Sequence, residues 1–240
     1  MIHLLLFLSL FVCACHTTTL GSLKKHLGTS DLQSFQRKSG QERWTLEDNP
    51  NWNKALILED LKKLGFVDTV WPRKKYYHTA VLLGSLGSSM QMRIEFLIEV
   101  WKKDIRFKRI VFLTGDRKLN QNEGALKNET ALFQKLWAET QMPAELRSLP
   151  TLWIDAPQIQ KKRPNTTSTI QEWLRYEKVE NDDILAFSNQ PFVHYQECTL
   201  KNNLPRLTQV EAVGPKAPSG TSISVYVDAL LSCQEWCPNL

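Results

Sequence analysis

The sequence lacks the spacings that define the commonest catalytic and cofactor-binding motifs. No Cys and His residues stand at metal-ligand spacing, and no Ser, His and Asp follow one another in a known triad order. The chain also has neither a Gly-x-Gly-x-x-Gly dinucleotide fingerprint nor a P-loop. Its net charge of +5 comes without a nucleic-acid-binding motif. We therefore predict no metal site and no nucleic acid partner, and the sequence identifies no cofactor.

Cysteine is scarce, with five in 240 residues. Cys13 and Cys15 belong to the N-terminal apolar segment, which leaves an odd set of Cys198, Cys233 and Cys237. Cys233 and Cys237 are four positions apart in a helix-like tail, which is a poor geometry for a disulfide. We interpret the three as structural or incidental thiols.

An almost wholly apolar run, residues 2–14, opens the chain and is followed by polar residues. The run is short for a membrane-spanning helix, so it favours a signal peptide over residues 1–15. Its last residues, Val12-Cys13-Ala14-Cys15, look like a bacterial lipobox, in which Cys15 would be acylated. Simple secretion and retention of the segment are the alternatives. The pattern predicts export, to the periplasm or to a lipid-anchored position on the membrane through Cys15 in a Gram-negative bacterium.

The remaining chain divides by composition into two parts. Residues 16–52 are polar and resemble a tether or arm. Apolar residues then recur at helical spacing over residues 53–64, with Gly65 as a stop signal. We predict one α/β domain over residues 53–240.

Short apolar runs ending in small or polar clusters predict strands. Four of them lead into helix-like segments, and a fifth lies near the C-terminus: Ala80–Gly84, Arg109–Thr114, Thr151–Ile154, Ile184–Phe187 and Leu207–Val213. Alternation of strands and helices is typical of a parallel sheet with crossover helices. We predict a doubly wound, mainly parallel five-stranded Rossmann-like sheet with helices on both faces. Such sheets bind ligands beyond the carboxyl ends of their strands.

The loop after the first predicted strand has the composition of an anion cradle. Gly84, Ser85, Gly87 and Ser88 would let backbone N–H groups approach a ligand, and the following helix would favour negative charge. Arg93 could add a bidentate clamp. We predict that these five residues bind a ligand, with a tight strand-to-helix turn as the alternative.

The second predicted strand ends in Gly115-Asp116-Arg117, and Glu129 opens the next helix. Charged residues at the carboxyl end of a strand are costly to bury and well placed to face a crevice. We predict Glu129 and Asp116 as catalytic residues and Gly115 and Arg117 as ligand-binding residues. A surface salt bridge between Asp116 and Arg117 is the alternative.

Two further clusters complete the predicted site. Asn165 and Thr166 precede an amphipathic segment, where Thr166 and Ser168 are candidate helix caps and Asn165 could direct its amide into the cleft. Ser188 and Asn189 follow the fourth predicted strand. We predict that Asn165, Thr166, Ser188 and Asn189 contact the ligand.

The segment from Trp71 to His78 is unusually basic and aromatic. It could form a lip beside the first strand, or it could be a solvated connector. The pattern does not decide between the two.

The order of these motifs over residues 78–230 resembles the YdcF/SanA/ElyC-like family. Gly84 and Arg93 match its first motif, Gly115 the second, Glu129 and Thr130 the third, Asn165, Thr166 and Thr169 the fourth, and Ser188 the fifth. Val193 stands at the position of the family's His, with His194 one residue later. The resemblance implies a doubly wound α/β domain, often on the outer side of the bacterial inner membrane and linked to envelope biogenesis.

Two classes of function are compatible with these observations. In the first, the crevice binds an anionic small molecule, phosphorylated or nucleotide-like, as a hydrolase or transferase would. In the second, a non-catalytic envelope biogenesis factor binds a cell-wall precursor or a protein partner.

Overall fold

A computed structural model describes residues 18–38, 41–160 and 162–237 of the chain. The predicted signal peptide and the predicted acylation site Cys15 lie outside these residues. Thr69–Lys216 forms one compact unit, and the described residues before and after it form another. We call them the sheet unit and the helical unit.

Strands and helices alternate along the sheet unit. The strands are β1 (Tyr76–Leu83), β2 (Arg106–Gly115), β3 (Thr151–Ala156), β4 (Asp183–Phe187) and β5 (Gln209–Val213). The described helices are α1 (18–27), α2 (Lys54–Lys63), α3 (Gly87–Lys102), α4 (Glu129–Glu139), α5 (Ala144–Arg147), α6 (Thr166–Tyr176), α7 (Val193–Asn203) and α8 (Ile223–Trp236).

The five strands form one parallel sheet in the order β3-β2-β1-β4-β5. Helices α3 and α4 pack on one face, where Leu97 and Phe133 lie in a core with Phe112 of β2. Helices α6 and α7 cover the other face, where Trp173 and Leu200 pack in a second core. The predicted doubly wound Rossmann-like fold is confirmed.

The strands are buried because both faces of the sheet are covered. Residues 80–83 of β1 and 110–115 of β2 are all buried. Continuous apolar runs, rather than alternating ones, are the expected sequence of such strands. Their carboxyl ends therefore lie at the rim of a closely packed core.

Polar caps fix where most of the longer helices begin. The side chains of Asn53, Asn128, Asn165 and Ser222 accept hydrogen bonds from backbone N–H groups in the first turns of α2, α4, α6 and α8. Leu86 precedes α3 and makes no such bond. The first turn of α3 is therefore open to another acceptor.

The helical unit contains α1, α2 and α8. Within residues 16–52, predicted as a tether or arm, the described part holds α1 and short 3-10 turns at Leu32–Phe35 and Arg43–Thr45. Buried acids organise this unit: Asp60 accepts hydrogen bonds from Ser22 and His26, and Asp228 pairs with two arginines, Arg37 and Arg43.

The described cysteines differ in state. Cys198 and Cys237 are in disulfide bonds, and Cys233 is buried as a thiol. Our interpretation of all three as thiols therefore applies to Cys233 alone.

Candidate functional site

The strand order creates a topological switch point at the carboxyl edge of the sheet. The chain runs outward from β1 to β2 and β3, and then returns to place β4 on the other side of β1. Loops that leave neighbouring strands in opposite directions open a space between them, which is where α/β sheets bind ligands. Gly84 follows β1 and Ser188 follows β4, so both border this point.

Arg93 of α3 ties the two strand ends together. Its Nη1 donates to the carbonyl oxygens of Leu83 and, at 3.0 Å, of Gly84. Its Nε and Nη2 donate to Asn189 Oδ1 at 3.1 and 2.8 Å. Burial lowers the pKa of Arg93 to about 10, so the guanidinium is still charged at neutral pH. These bonds join the ends of β1 and β4 at the switch point.

Glu129 is a buried carboxylate at the first position of α4, fixed by the Asn128 cap. Its Oε2 accepts a hydrogen bond of 2.8 Å from Arg117 Nε, and its Oε1 accepts one of 3.3 Å from Gly115 N. Burial raises the pKa of Glu129, although the charge of Arg117 opposes this effect. A carboxyl group with a raised pKa is suited to proton transfer when it lies at the carboxyl edge of the sheet, where α/β folds bind ligands.

Arg117 joins Glu129 to a second acid, Glu123. The guanidinium binds Glu123 in a bidentate manner, with Nη1–Oε2 at 2.8 Å and Nη2–Oε1 at 2.9 Å. Nη2 also donates to the carbonyl of Ser85 at 2.9 Å. Burial of Glu123 opposes ionisation, but the Arg117 bonds outweigh it and lower the pKa of Glu123 to about 2.

Glu123 also occupies the open first turn of α3. Its Oε1 accepts a hydrogen bond of 2.9 Å from Gly87 N, the first residue of that helix. The helix dipole favours an anion at this position. A carboxylate of the protein therefore sits where the sequence predicts a ligand anion, between Arg117 and the loop of Ser85 and Ser88.

A separate polar group lies beyond β2 and β3. Asn128 Nδ2 donates to Asp116 Oδ1 at 3.3 Å and to Asp155 Oδ2 at 3.2 Å. Thr130 Oγ1 donates to Asp155 Oδ1 at 2.6 Å. Asp116 thus faces Asn128, and Arg117 pairs with Glu129 and Glu123 instead. Across residues 18–38, 41–160 and 162–237, no cluster of three or more His, Cys, Asp or Glu side chains could hold a metal ion.

Close packing explains three glycines at the strand ends. A Cβ on Gly84 would overlap Glu129 Oε1. One on Gly115 would lie 2.5 Å from Pro164 Cβ, and one on Gly214 would lie 2.6 Å from the carbonyl oxygen of Ser188. Glycine lets the backbone approach these groups.

Of the remaining predicted ligand residues, Ser188 and Asn189 are buried after β4, whereas Asn165 and Thr166 lie at the start of α6. Ser188 is fully buried, and its Oγ has no hydrogen-bond partner among the described residues, whereas Asn189 binds Arg93. Asn165 is exposed and caps α6, because its Oδ1 accepts a bond of 2.9 Å from Ser168 N. Thr166 is the first residue of α6. The structure thus brings the loop after β1, Arg93, Gly115, Arg117, Glu129 and Asn189 together by direct contacts.

Sequence reasoning missed Glu123, although a local signal was present. Asn120 and Glu123 have the spacing of a capping box, and the Glu123 side chain accepts a 2.8 Å bond from Asn120 N. That pattern fixes Glu123 locally, but only the fold brings it to Arg117 and α3.

No protein-family model and no curated protein matches this chain. In the described part of the chain, no helix combines the length and the apolar character that a membrane crossing requires.

Glu123 predicts a specific acid dependence of stability. Because its pKa falls from 4.5 to about 2 on folding, its contribution is present above pH 4.5 and is lost as the pH falls towards 2. Glu123→Gln is expected to lower the free energy of unfolding at pH 6. The variant should also lose less stability than the wild type as the pH falls from 5 to 3. Urea unfolding at several pH values, followed by Trp fluorescence, measures this.

Glu139→Gln is the control for this measurement, because the Glu139 side chain is 64% exposed. It should leave the pH profile unchanged. Parallel profiles for the wild type and Glu123→Gln would contradict the role of Glu123.

Proposed function

We propose that this chain is an exported protein of the YdcF/SanA/ElyC-like type that binds a phosphorylated or nucleotide-like ligand at the carboxyl ends of its strands, beside β1 and β2. The observation that carries this proposal is the binding of the Glu123 carboxylate. It accepts from Arg117 through two bonds and from the first N–H of α3. An oxyanion of a ligand has the same requirements.

A phosphoryl group would replace Glu123 in this arrangement. Arg117 is held by Glu129 and by the Ser85 carbonyl, so its position does not depend on Glu123. The loop that carries Glu123, residues 118–127, is mostly exposed and packs few apolar side chains. Ligand entry would therefore require a local rearrangement, and the backbone N–H groups around Ser88 would then face the phosphate.

Glu129 supports a hydrolase or a transferase. Its carboxyl group is buried at the ends of β1 and β2, and its raised pKa favours exchange of a proton during group transfer. Asp116, which is more accessible, would orient the ligand or a water molecule from the β2 side.

A non-catalytic envelope biogenesis factor is the second candidate. The bonding of Arg93 favours it, because four of its hydrogen bonds go to Leu83, Gly84 and Asn189 of the protein itself. Such a protein would bind a cell-wall precursor or a protein partner in the same crevice. Ligand binding without turnover would identify this case.

Export is part of the proposal. The lipobox-like leader and acylation at Cys15 would place the chain at the periplasmic side of a membrane. The disulfide bonds of Cys198 and Cys237 support an oxidising compartment.

The Ser88→Asp variant is expected to lose ligand binding without losing protein stability. Ser88 is exposed in the first turn of α3, where an added acid gains about 0.3–1 kcal/mol from the helix dipole, is opposed by the neighbouring Glu123 carboxylate, and repels a ligand anion. We expect pyrophosphate, nucleotides, sugar phosphates or prenyl phosphates to stabilise the wild type by about 2.7 kcal/mol at a hundred times Kd. Thermal unfolding with each ligand measures this, and Ser88→Asp should lose the effect of the ligand at a nearly unchanged Tm.

Ser88→Asn is the neutral control and should retain binding. Glu123→Gln should bind more tightly than the wild type, because it removes the competing carboxylate. Wild-type protein that no phosphorylated compound stabilises would contradict the proposed function.

A further inference from the structure

A basic and aromatic surface that the proposed ligand site does not use extends from the amino edge of the sheet along α3 to Trp71. Three segments converge there: the chain before β1, the end of α3 and the start of β2. We call this surface the amino-edge patch and define it as Trp71, Lys75, Tyr76, Lys103 and Arg106.

Direct contacts make the patch continuous. Lys75 Nζ donates to the carbonyl of Lys103 at 3.2 Å, and Lys103 Nζ lies 4.6 Å from the centre of the Trp71 ring. Arg106 N donates to the carbonyl of Lys75 at 2.8 Å, and Arg106 is the strand neighbour of Tyr76. The five residues thus form one surface although they come from two separate stretches of the sequence, residues 71–76 and 103–106.

The aromatic side chains of the patch are exposed. Tyr76 is 75% exposed and Trp71 is 39% exposed. Trp71 is held in place, because its ring packs against Phe96 at 5.0 Å between centroids and against the Lys103 ammonium. Rings at the surface with cations beside them match the composition of a membrane interface, where Trp and Tyr lie at the level of the headgroups.

The charge of the patch is only partly compensated. Arg106 pairs with Asp104 at 3.0 Å. Among the described residues, no carboxylate forms a salt bridge with Lys75 or Lys103. Exposed Lys102 and Lys108 flank them on α3 and β2. A local excess of positive charge attracts an anionic surface, and the attraction falls with added salt.

We propose that the amino-edge patch lies against an anionic lipid surface. A bilayer accounts for both the charged and the aromatic residues of the patch. Its anionic headgroups would bind the Lys and Arg side chains, and Tyr76 and Trp71 would lie in the interfacial zone. Nucleic acid fits less well, since single strands stack successive bases on several ring faces and the Trp71 ring, packed against Phe96 and Lys103, leaves Tyr76 as the main exposed ring of the patch.

Flotation with vesicles tests this proposal, using the chain from residue 16 onward so that neither the leader nor a lipid on Cys15 contributes. The wild type should bind vesicles that contain phosphatidylglycerol and not pure phosphatidylcholine vesicles. Lys75→Glu with Lys103→Glu should weaken binding at least tenfold. Tyr76→Ser should weaken it severalfold at high salt, where the charge attraction is screened.

Lys135→Glu with Lys178→Glu is the matched control, because it makes the same change in net charge at exposed lysines of the sheet unit. It should retain binding. Equal losses in both double variants would overturn the patch as the contact surface. Failure to bind anionic vesicles, or binding to a single-stranded oligonucleotide in their place, would overturn the lipid partner.

Discussion

Replacing Gly214 with Ala is expected to destabilise the sheet unit by about 3 kcal/mol or more, which lies in the severe tail of single substitutions. The new Cβ would lie 2.6 Å from the carbonyl oxygen of Ser188 and 2.9 Å from the Cα of Asn189. Both are backbone atoms that cannot rotate away. Gly214 is also paired with Val70 through two hydrogen bonds of 2.9 and 3.1 Å, so neither side of the contact is free to shift.

Urea unfolding followed by Trp fluorescence measures the effect of Gly214→Ala. Gly87→Ala is the matched control in the same unit, because its nearest non-local atom is a Leu132 side-chain methyl at 3.1 Å. That methyl can move, so the loss should stay below about 1 kcal/mol. A similarly small loss for Gly214→Ala would mean that the ends of β4 and β5 separate easily.

Arg117→Met is expected to cost about 3–5 kcal/mol, the usual loss when one partner of a buried ion pair is removed. Glu123 and Glu129 would both keep their buried carboxylates and lose their shared counter-charge. Each would ionise less readily, so the variant should lose more stability at pH 7 than at pH 4. This direction follows because a carboxyl pKa raised by folding favours the native state only below that pKa.

Two further variants make the test of Arg117 specific. Adding Glu123→Gln to Arg117→Met should recover part of the loss, because one unpaired carboxylate is removed. Arg175→Met is the control, since the Arg175 side chain is 73% exposed beside Glu172 and should cost at most about 1 kcal/mol. Equal unfolding free energies for the two arginine variants would show that the Arg117 network does not stabilise the fold.

The sheet could be predicted from the sequence because its strands are buried on both faces. Each predicted apolar run lies within or beside an observed strand, and the main error is at β1, predicted from Ala80 and observed from Tyr76. The first residues of β1 alternate between exposed and buried, with His78 exposed between Tyr77 and Thr79. That end of the strand therefore lacks the apolar signal on which the prediction relied.

The bonding within the candidate site could not be predicted, because it depends on contacts between distant segments. Asn165 was expected to direct its amide into the cleft, but a cap bond within its own helix competes for that side chain and is formed. The sequence allows Asp116 as the partner of Arg117, whereas in the structure Glu123 and Glu129 pair with Arg117. Roles of these residues in ligand binding and catalysis stay predictions.

The bridge between Val70 and Gly214 also bears on the modular character of the chain. With the bond of 3.2 Å from Lys216 N to Thr69 Oγ1, it holds the first and last residues of the sheet unit side by side. A segment whose ends already meet can be grafted into a loop of an unrelated protein, or joined end to end and reopened elsewhere, without stretching its backbone. The backbone of residues 69–216 therefore begins and ends at neighbouring points.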